Sequence, residues 1–389
     1  MTAAKPGARL ESIDLLRGLV MVVMVLDHVR DFFAHAGADV LNPATTTIPL
    51  FFTRWVTHFC APTFVFLAGT GAYLAGSRGM TRPELAKFLF LRGLWLALME
   101  VTLVRIGLTF DLKFGFFPLT VLWAIGASMM VLSLLVFLPT VAVALFGVVM
   151  IAVHNAFDGI PPRGPYGDVW RLLHVQGMLG HTLWGRPVFA LYPIVPWVGV
   201  MAAGYGFGAI VLHPRPETRR RIFVGLGLAM TAAFVLLRWS NLYGDPRPWS
   251  VQTRGSIYSA LSFLNCAKYP PSLLYLLMTL GPAITLLAVL DRGLGTIGKP
   301  LATFGRVPLF YYLLQWPLIH LLAVGYNAMT GEPYRWLLGN GPFQAPPGYG
   351  HGLPVVYAMW GVTVLLLYWP CRWFAGLKRR RKDAWLSYF

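Results

Sequence analysis

The sequence predicts an all-α membrane protein, a polytopic bundle of about ten transmembrane helices with both termini in the cytoplasm. Three observations predict this fold. Hydrophobic residues make up 57% of the 389-residue chain and charged residues only 12%, about half the share in ordinary soluble domains. The apolar residues fall into segments of about 20, the length that crosses a bilayer. The net charge of +17 is carried by short segments between these runs, which is typical of topology signals rather than of a nucleic-acid-binding face.

The predicted spans follow one another without an internal repeat or a separate soluble domain, so residues 1–389 are expected to form a single domain. The spans are Ile13–His35, Ile48–Ala75, Leu85–Leu108, Phe117–Leu138, Thr140–His154, Val188–Leu212, Ile222–Trp239, Ser272–Leu290, Leu301–Tyr326 and Leu353–Phe374. Pro193 and Pro196 are expected to kink the sixth span. Long loops rich in Trp, Pro and Gly occupy 155–186, 240–269 and 327–352.

Basic clusters predict the orientation of these spans, because cytoplasmic loops carry an excess of Lys and Arg. The clusters are Lys5 with Arg9, Arg78 with Arg82 and Lys87, Arg215 with Arg219–Arg221, Arg292 with Lys299, and Lys378–Lys382. With ten spans, all five clusters fall on the cytoplasmic side and the three long loops fall on the other side.

The first span carries ionisable groups that a lipid anchor does not need. At about 100° per residue, one helical stripe holds Asp14, Arg17, Met21, Met24, His28, Asp31 and His35. Charged groups inside a membrane usually face a protein interior or a water-filled cavity. We therefore predict that this stripe lines a reaction tunnel, with Arg17 and His28 about 16 Å apart along the axis. In the alternative interpretation, Asp14 caps the helix, Arg17 snorkels and Asp27–His28 lies near the far headgroups.

Further titratable groups are predicted at the depth of His28. His58 on the second span and Glu100 on the third join Asp27 and His28, so that two imidazoles and two carboxylates lie at similar depth. A carboxylate that fixes the tautomer of one histidine would make it a general base. Alternatively, His58 is a structural histidine and Glu100 pairs with Arg105 or another arginine.

The three cysteines, Cys60, Cys266 and Cys371, form no disulfide framework and no metal-ligand spacing. No metal site is therefore predicted.

These residues resemble motifs of the transmembrane acyltransferase superfamily. Asp14-Leu15-Leu16-Arg17-Gly18 followed by His28 is similar to the Arg-x10-His motif of the acyltransferase type-three family. There, the arginine and histidine are essential for moving an acetyl group across the membrane. Phe64–Gly69 resembles that family's Phe-rich Ser-Gly motif, with Ala68 in place of the serine. Phe304–Gln315 resembles the superfamily's later Gly…Tyr-Leu-Leu motif, with Gln315 where the type-three family usually has histidine.

The closest overall resemblance is to the heparan-α-glucosaminide N-acetyltransferase catalytic-domain family. Arg9–Asp14, Arg17-Gly18 and Phe32–Ala36 are similar to its first helix and loop. Trp55–Pro62 fits the Trp-x-x-His-x-Cys-Ala-Pro signature of bacterial members. This alignment places the functional histidine at His35, whereas the type-three motif places it at His28, so the two branches disagree about which histidine acts.

The resemblance implies a transmembrane acetyltransferase that uses acetyl-CoA from the cytoplasm as co-substrate. Its implied cofactor-binding candidates are Arg17, Asp14, Gln315 and Tyr312, and its catalytic candidates are His28, His35, Asp27, His58 and Glu100. Arg17 is a candidate partner for a CoA phosphate. His28 or His35 would remove a proton from the acceptor or carry the acetyl group transiently, and Asp27 or another carboxylate would orient the imidazole.

The expected location is the cell inner membrane, with multiple passes. The expected partners are membrane lipid, acetyl-CoA and an extracytoplasmic glycan or glycolipid that offers a sugar amine or hydroxyl. A homodimer is a candidate assembly, and no nucleic-acid partner is expected.

Two other classes remain open. A proton-coupled solute transporter also uses intramembrane His, Asp and Glu, although no inverted repeat is visible. A catalytically inactive scaffold would tolerate replacement of His28, His35 or Arg17.

Overall fold

The computed structural model describes residues 11–35, 39–381, 383 and 386. Lys5, Arg9, Ala36 and Lys382, which belong to predicted clusters or motifs, lie outside the described residues. The α-helices are α1 (Glu11–Phe33), α2 (Ile48–Trp55), α3 (Cys60–Gly76), α4 (Arg82–Met99), α5 (Arg105–Thr109), α6 (Val121–Leu135), α7 (Thr140–Val153), α8 (Gly167–Leu173), α9 (Ile194–Val211), α10 (Pro216–Ser240), α11 (Ser256–Leu264), α12 (Leu273–Leu290), α13 (Gly298–Arg306), α14 (Pro308–Thr330), α15 (Leu337–Asn340) and α16 (Leu353–Arg380). The strands are β1 (Phe117–Leu119), β2 (Gly177–Met178) and β3 (Val188–Ala190).

In the part of the chain that the structure describes, seven helical segments are long and apolar enough to cross a membrane. They are Ile48–Gly76, Thr140–Phe157, Ile194–Val211, Pro216–Ser240, Leu273–Leu290, Pro308–Thr330 and Leu353–Arg380. The other three predicted spans are also helical: α1 and the segment 82–109 carry more charged residues, and α6 has only 15 residues. The all-α polytopic class is therefore confirmed, whereas the count of ten and the single-domain assignment stay predictions.

Contacts between the connecting segments agree with the predicted alternation of sides. At one end of the bundle, Asp291 after α12 accepts hydrogen bonds from Ser12 at the start of α1 (3.3 Å) and from Arg219 in α10 (2.8 Å). At the other end, the side-chain amide of Asn265 donates to the Leu41 carbonyl at 2.9 Å, which joins the loops that follow α1 and α11. The segments predicted to share a side thus contact one another.

Glycines bring the backbones of α1 and α13 into contact. A Cβ atom on Gly18 would lie 1.9 Å from the Leu301 carbonyl oxygen, and one on Gly305 would lie 1.9 Å from the Asp14 carbonyl oxygen. Small residues at such crossings allow close helix packing in membranes. Because α14 follows α13 directly, this crossing also holds α14 beside α1.

A small sheet replaces the expected starts of the fourth and sixth spans. The strand order is β1-β3-β2, with β1 parallel to β3 and β2 antiparallel to it. The predicted helix starts at Phe117 and Val188 are therefore wrong, and α6 and α9 begin at Val121 and Ile194. Short apolar runs fit a strand as well as a buried helix, so periodicity does not separate them.

Two further expectations about proline are corrected by the structure. Pro193 precedes α9 and Pro196 lies in its first turn, where a backbone N–H has no helical acceptor, so neither proline kinks the helix. The predicted span Leu301–Tyr326 is divided into α13 and α14 at Val307, which has φ −131° and ψ 50°. Val307 precedes Pro308, and the proline ring clashes with the preceding residue when that residue is helical.

Candidate functional site

Two cavities adjoin inside the bundle along α1. The first, which we name the donor cavity for the co-substrate expected from the sequence, has a volume of about 260 Å³ and is lined by Arg17 and Arg92 among mostly apolar side chains of α1, α3, α4 and α6. The second, the acceptor cavity, has a volume of about 180 Å³ and is lined by charged and aromatic side chains, His28 among them. Four residues line both cavities: Met24, Phe64, Val121 and Tyr312. The two cavities therefore meet at a common junction between the depths of Arg17 and His28.

The predicted stripe on α1 faces these cavities along most of its length. Five of its residues line one cavity or the other: Arg17, Met21, Met24, His28 and Asp31. The two ends of the stripe differ. Asp14 is buried near Arg306, and His35 is exposed beyond the end of α1 and is not among the residues that line either cavity.

Arg17 is held at the base of the donor cavity by contacts with α1 and α13. Its Nη1 lies 3.7 Å from the Asp14 carboxylate and donates a hydrogen bond to the Gly305 carbonyl at 3.3 Å. The Arg306 Nε lies 3.9 Å from the other Asp14 oxygen. Asp14 thus positions two guanidinium groups, and the Arg17 side chain remains 20% exposed.

His28 is positioned by aromatic residues of α14. Its ring stacks on Trp316 with centroids 4.0 Å apart, and the Tyr312 ring lies edge-on at 6.3 Å. Gln315 lies beside His28 and is fully buried. Its side chain is within reach of a hydrogen bond to the His28 ring but is not among the residues that line either cavity, and the buried Nδ1 of His28 has no hydrogen-bond partner among the described atoms.

Asp27 is held by two arginines and does not bond to the His28 ring. Arg30 Nη2 donates to Asp27 Oδ1 at 3.0 Å, and Arg54 Nη1 donates to Asp27 Oδ2 and, at 3.1 Å, to Thr57 Oγ1. Asp27 was expected to orient the His28 ring, but the described residues show no hydrogen bond between the two side chains. Asp27 instead fixes Arg54 at the wall of the acceptor cavity.

His58 lies behind the wall of the acceptor cavity. The helical segment that joins α2 and α3 tightens into a 3-10 turn at Val56–Phe59, which contains His58. His58 is fully buried, its ring lies 5.3 Å from the Tyr275 ring, and its carbonyl accepts a hydrogen bond from Tyr275 Oη at 2.8 Å. Its ring nitrogens have no partner among the described atoms. The neighbouring Thr57 and Cys60 line the cavity, whereas His58 itself does not.

Glu100 caps a neighbouring helix. It opens a π-helical turn, Glu100–Val104, between α4 and α5. Its carboxylate accepts hydrogen bonds from Thr120 Oγ1 at 2.7 Å and from the N–H groups of Leu122 (2.8 Å) and Trp123 (3.2 Å). A carboxylate at this position satisfies free N–H groups and complements the helix dipole.

The alternative of an ion pair between Glu100 and Arg105 is wrong. The Arg105 guanidinium pairs with the Asp111 carboxylate and also donates to the Phe116 carbonyl at 2.5 Å and to the Asp111 carbonyl at 2.6 Å. Asp111 lies in the loop after α5. Arg105 therefore holds that loop against the end of the helix.

Sequence reasoning did not select several residues that line the cavities. These are Arg54, Arg92, Lys268, Tyr269 and Trp316. Arg54 and Arg92 carry a detectable signal, because each is a cation inside a predicted span. Lys268 and Tyr269 lie at the end of a long loop, and only the folded loop brings them beside His28.

A sequence family matches most of this site. The family described as heparan-alpha-glucosaminide N-acetyltransferase, catalytic, matches residues 9–240. The chain belongs to this family. The match contains the part of the site carried by α1 to α6, with Arg17, His28 and Glu100. Lys268 and the α14 residues lie beyond it.

The members of this family are membrane acetyltransferases, and the match therefore implies that class of enzyme for this chain. No curated protein matches the sequence. The family and the seven apolar helices together support an integral membrane protein.

Proposed function

We propose that this protein transfers an acetyl group from cytoplasmic acetyl-CoA to an acceptor on the opposite face of the inner membrane. The observation that carries this proposal is the pair of adjoining cavities. One has Arg17 and Arg92 in its wall, the other has His28, and they share a junction at Tyr312.

The lining of the donor cavity suits the charged and apolar parts of acetyl-CoA. Arginine binds phosphate well, and both Arg17 and Arg92 line this cavity. Its other walls are mostly apolar, and Gly71 and Ala68 leave room along α3. An extended pantetheine arm would run through this apolar section and bring the thioester to the junction near His28.

At the junction, the acceptor's amine or hydroxyl attacks the carbonyl carbon of the thioester. The new C–N or C–O bond forms, the C–S bond breaks, and His28 accepts the acceptor's proton and returns it to the departing thiolate. Stacking on Trp316 fixes the plane of the His28 ring. The Gln315 amide, which is buried beside the His28 ring, can hydrogen-bond to that ring and hold its orientation.

The geometry supports His28 over His35 as the acting histidine. His28 lines the acceptor cavity, whereas His35 is exposed in the loop beyond α1. The acceptor is proposed to be a glycan or glycolipid with a sugar amine or hydroxyl.

Calorimetric titration of acetyl-CoA into the purified protein tests the donor site. Wild type is expected to bind, and Arg17→Ala is expected to bind at least roughly tenfold more weakly, because a charge-assisted contact to phosphate is lost. Arg163→Ala, in the 155–186 loop far from the donor cavity along the chain, is the matched control and is expected to bind like wild type. Absence of binding to well-folded wild type would overturn the proposal.

A proton-coupled transporter would use the same cavities without covalent chemistry. Release of free CoA in step with acetylated product separates the two classes. Flux of a solute without CoA release would favour the transporter.

A further inference from the structure

Among the described residues, the acceptor cavity contains one cation that is not paired with a carboxylate. Three basic side chains line this cavity: Arg30, Arg54 and Lys268. The carboxylates of Asp27 and Asp31 also line it, and both are bonded to Arg30, while Asp27 is bonded to Arg54 as well. The arginines therefore have their counter-charges.

Lys268 has no such counter-charge in the described part of the chain. It is only 8% exposed and takes part in none of the ion pairs of the described residues. Asp27 and Asp31 both interact electrostatically with Lys268 at longer range, but Arg30 pairs with both carboxylates and Arg54 pairs with Asp27 as well. The Lys268 ammonium lies over the ring of Tyr269, with Nζ 5.2 Å from the ring centroid.

A buried ammonium without a carboxylate is costly, because lysine is seldom buried unless it is paired. A cation–π contact with a single tyrosine is worth less than full hydration of the charge. The missing counter-charge is thus expected to come from a molecule in the cavity. Because Lys268 lines the same cavity as His28, that charge would belong to the acceptor rather than to the donor.

We propose that the acceptor carries an anionic group, a carboxylate or a phosphate, and that Lys268 binds it while His28 serves the group to be acetylated. This inference rests on the proposed function, which supplies the reaction at His28. Tyr192 and Tyr269 also line the cavity, with ring centroids 5.2 Å apart, and they offer aromatic faces for a sugar ring. Lys268 is therefore a specificity-determining residue that discriminates between charged and uncharged acceptors.

The test measures equilibrium binding of three amino sugars to the full-length protein in lipid nanodiscs. The probes are glucosamine, glucosamine 6-phosphate and muramic acid, which is glucosamine with an added carboxylate. Wild type is expected to bind at least one anionic probe roughly tenfold or more tightly than glucosamine, since each charge pair in a desolvated site contributes strongly. The tighter of the two anionic probes identifies phosphate or carboxylate as the recognised group.

Lys268→Gln is expected to remove this preference by weakening the binding of the anionic probes, whereas Lys268→Arg is expected to keep it. Lys113→Gln is the matched control, because Lys113 is an exposed lysine in a loop on the same side and lies outside the cavity lining. In wild type, inorganic phosphate is expected to compete with the anionic probe, which tests the site without any substitution.

Equal binding of all three probes to wild type would overturn the inference, as would a preference that survives in Lys268→Gln. Acetyl-CoA titration into the same preparations distinguishes a failure of this inference from a failure of the proposed function. If acetyl-CoA binds and the anionic preference is absent, only the role of Lys268 is wrong. If acetyl-CoA does not bind to wild type, the proposed reaction itself is wrong.

Discussion

The donor and acceptor cavities differ in how the chain builds them. The donor cavity lies among regular helices, and its walls are apolar side chains with two arginines. The acceptor cavity lies where regular structure ends: Thr57 is in a 3-10 turn, Val104 is in the π-helical turn, and Lys268 is in a loop. Irregular backbone inside a membrane protein is tolerated where it lines a cavity, and π-helical turns are frequent at functional sites.

This difference in lining fits two different functions, donor binding in one cavity and acceptor selection in the other. A smooth, apolar passage with cations in its wall suits a donor that keeps the same shape in every turnover. A cavity that combines charges, aromatic rings and unpartnered polar atoms suits selection of one acceptor and proton transfer to it. Substitutions in the first cavity should therefore change donor binding, and substitutions in the second should change catalysis and acceptor choice.

The largest effect is expected at His28. His28→Ala should lower acetyl transfer by about 10²-fold to 10⁴-fold, the usual contribution of a general base, with little change in acetyl-CoA binding. His35→Ala should stay within about twofold of wild type, because that side chain is exposed beyond α1. Transfer assays with radiolabelled acetyl-CoA measure both. If only His35→Ala lost acetyl transfer, His35 would be the acting histidine, as the alignment with the heparan-α-glucosaminide family places it.

The next largest effect is expected at Gly71, which lines the donor cavity and has no atom near the position of a Cβ. Gly71→Leu should fill the passage and weaken acetyl-CoA binding more than roughly tenfold, without disturbing helix packing. Gly225→Leu in α10, where the space is equally open, is the control. Calorimetry compares the two variants, and equal affinities would contradict a donor passage along α3.

A packing substitution tests whether the α1–α13 crossing supports the donor cavity. Gly305→Ala places a methyl group 1.9 Å from the Asp14 carbonyl oxygen and should destabilise the protein by about 1–3 kcal/mol, as overpacking does. Thermal unfolding in detergent measures the change. Gly361→Ala in α16, where nothing lies near the new methyl group, should leave the unfolding temperature almost unchanged. Similar shifts in both variants would argue against a critical crossing.

A smaller effect is expected at Glu100, whose contacts are those of a helix cap. Glu100→Gln keeps the side chain's shape and one acceptor oxygen but removes the charge at the N-terminus of α6, which should cost about 1 kcal/mol of stability. Acetyl transfer should fall only a few-fold, through displacement of Thr120 in the cavity wall. A loss as large as that of His28→Ala would show that Glu100 takes part in the chemistry.

The smallest effect is expected in the 155–186 loop, at Asp168. Hydrogen bonds from the Gly180 N–H, and then from the His181 side chain and N–H, hold the pKa of Asp168 well below its ordinary value. Its contribution to loop stability should be complete above the unfolded pKa of about 3.9 and be lost as pH falls below it. Hydrogen exchange at Gly180 and His181 measures this loss, which should be absent in Asp168→Asn.

Several features of the molecule were predictable because they depend on local periodicity. The apolar segment lengths predicted the all-α membrane bundle, and the spacing of Arg17, Met21, Met24 and His28 predicted one cavity-facing stripe of α1. In a helix, residues three, four and seven apart share a face whatever the rest of the chain does. The family resemblance was carried by Arg9–Asp14, Arg17-Gly18, Phe32–Ala36 and Trp55–Pro62, and the match to residues 9–240 confirms it.

The sequence by itself therefore determined the fold class, the family and the face of α1 that lines the cavities. Only the tertiary structure decided the pairing of Asp27 with Arg54, the stacking of His28 on Trp316, and the role of Glu100 as the cap of α6. It also decided that Lys268, 240 residues after His28 in the chain, stands beside it in the same cavity. The physical reason is that these contacts depend on loop paths and helix crossings, which are set by packing across the whole chain rather than by neighbouring residues.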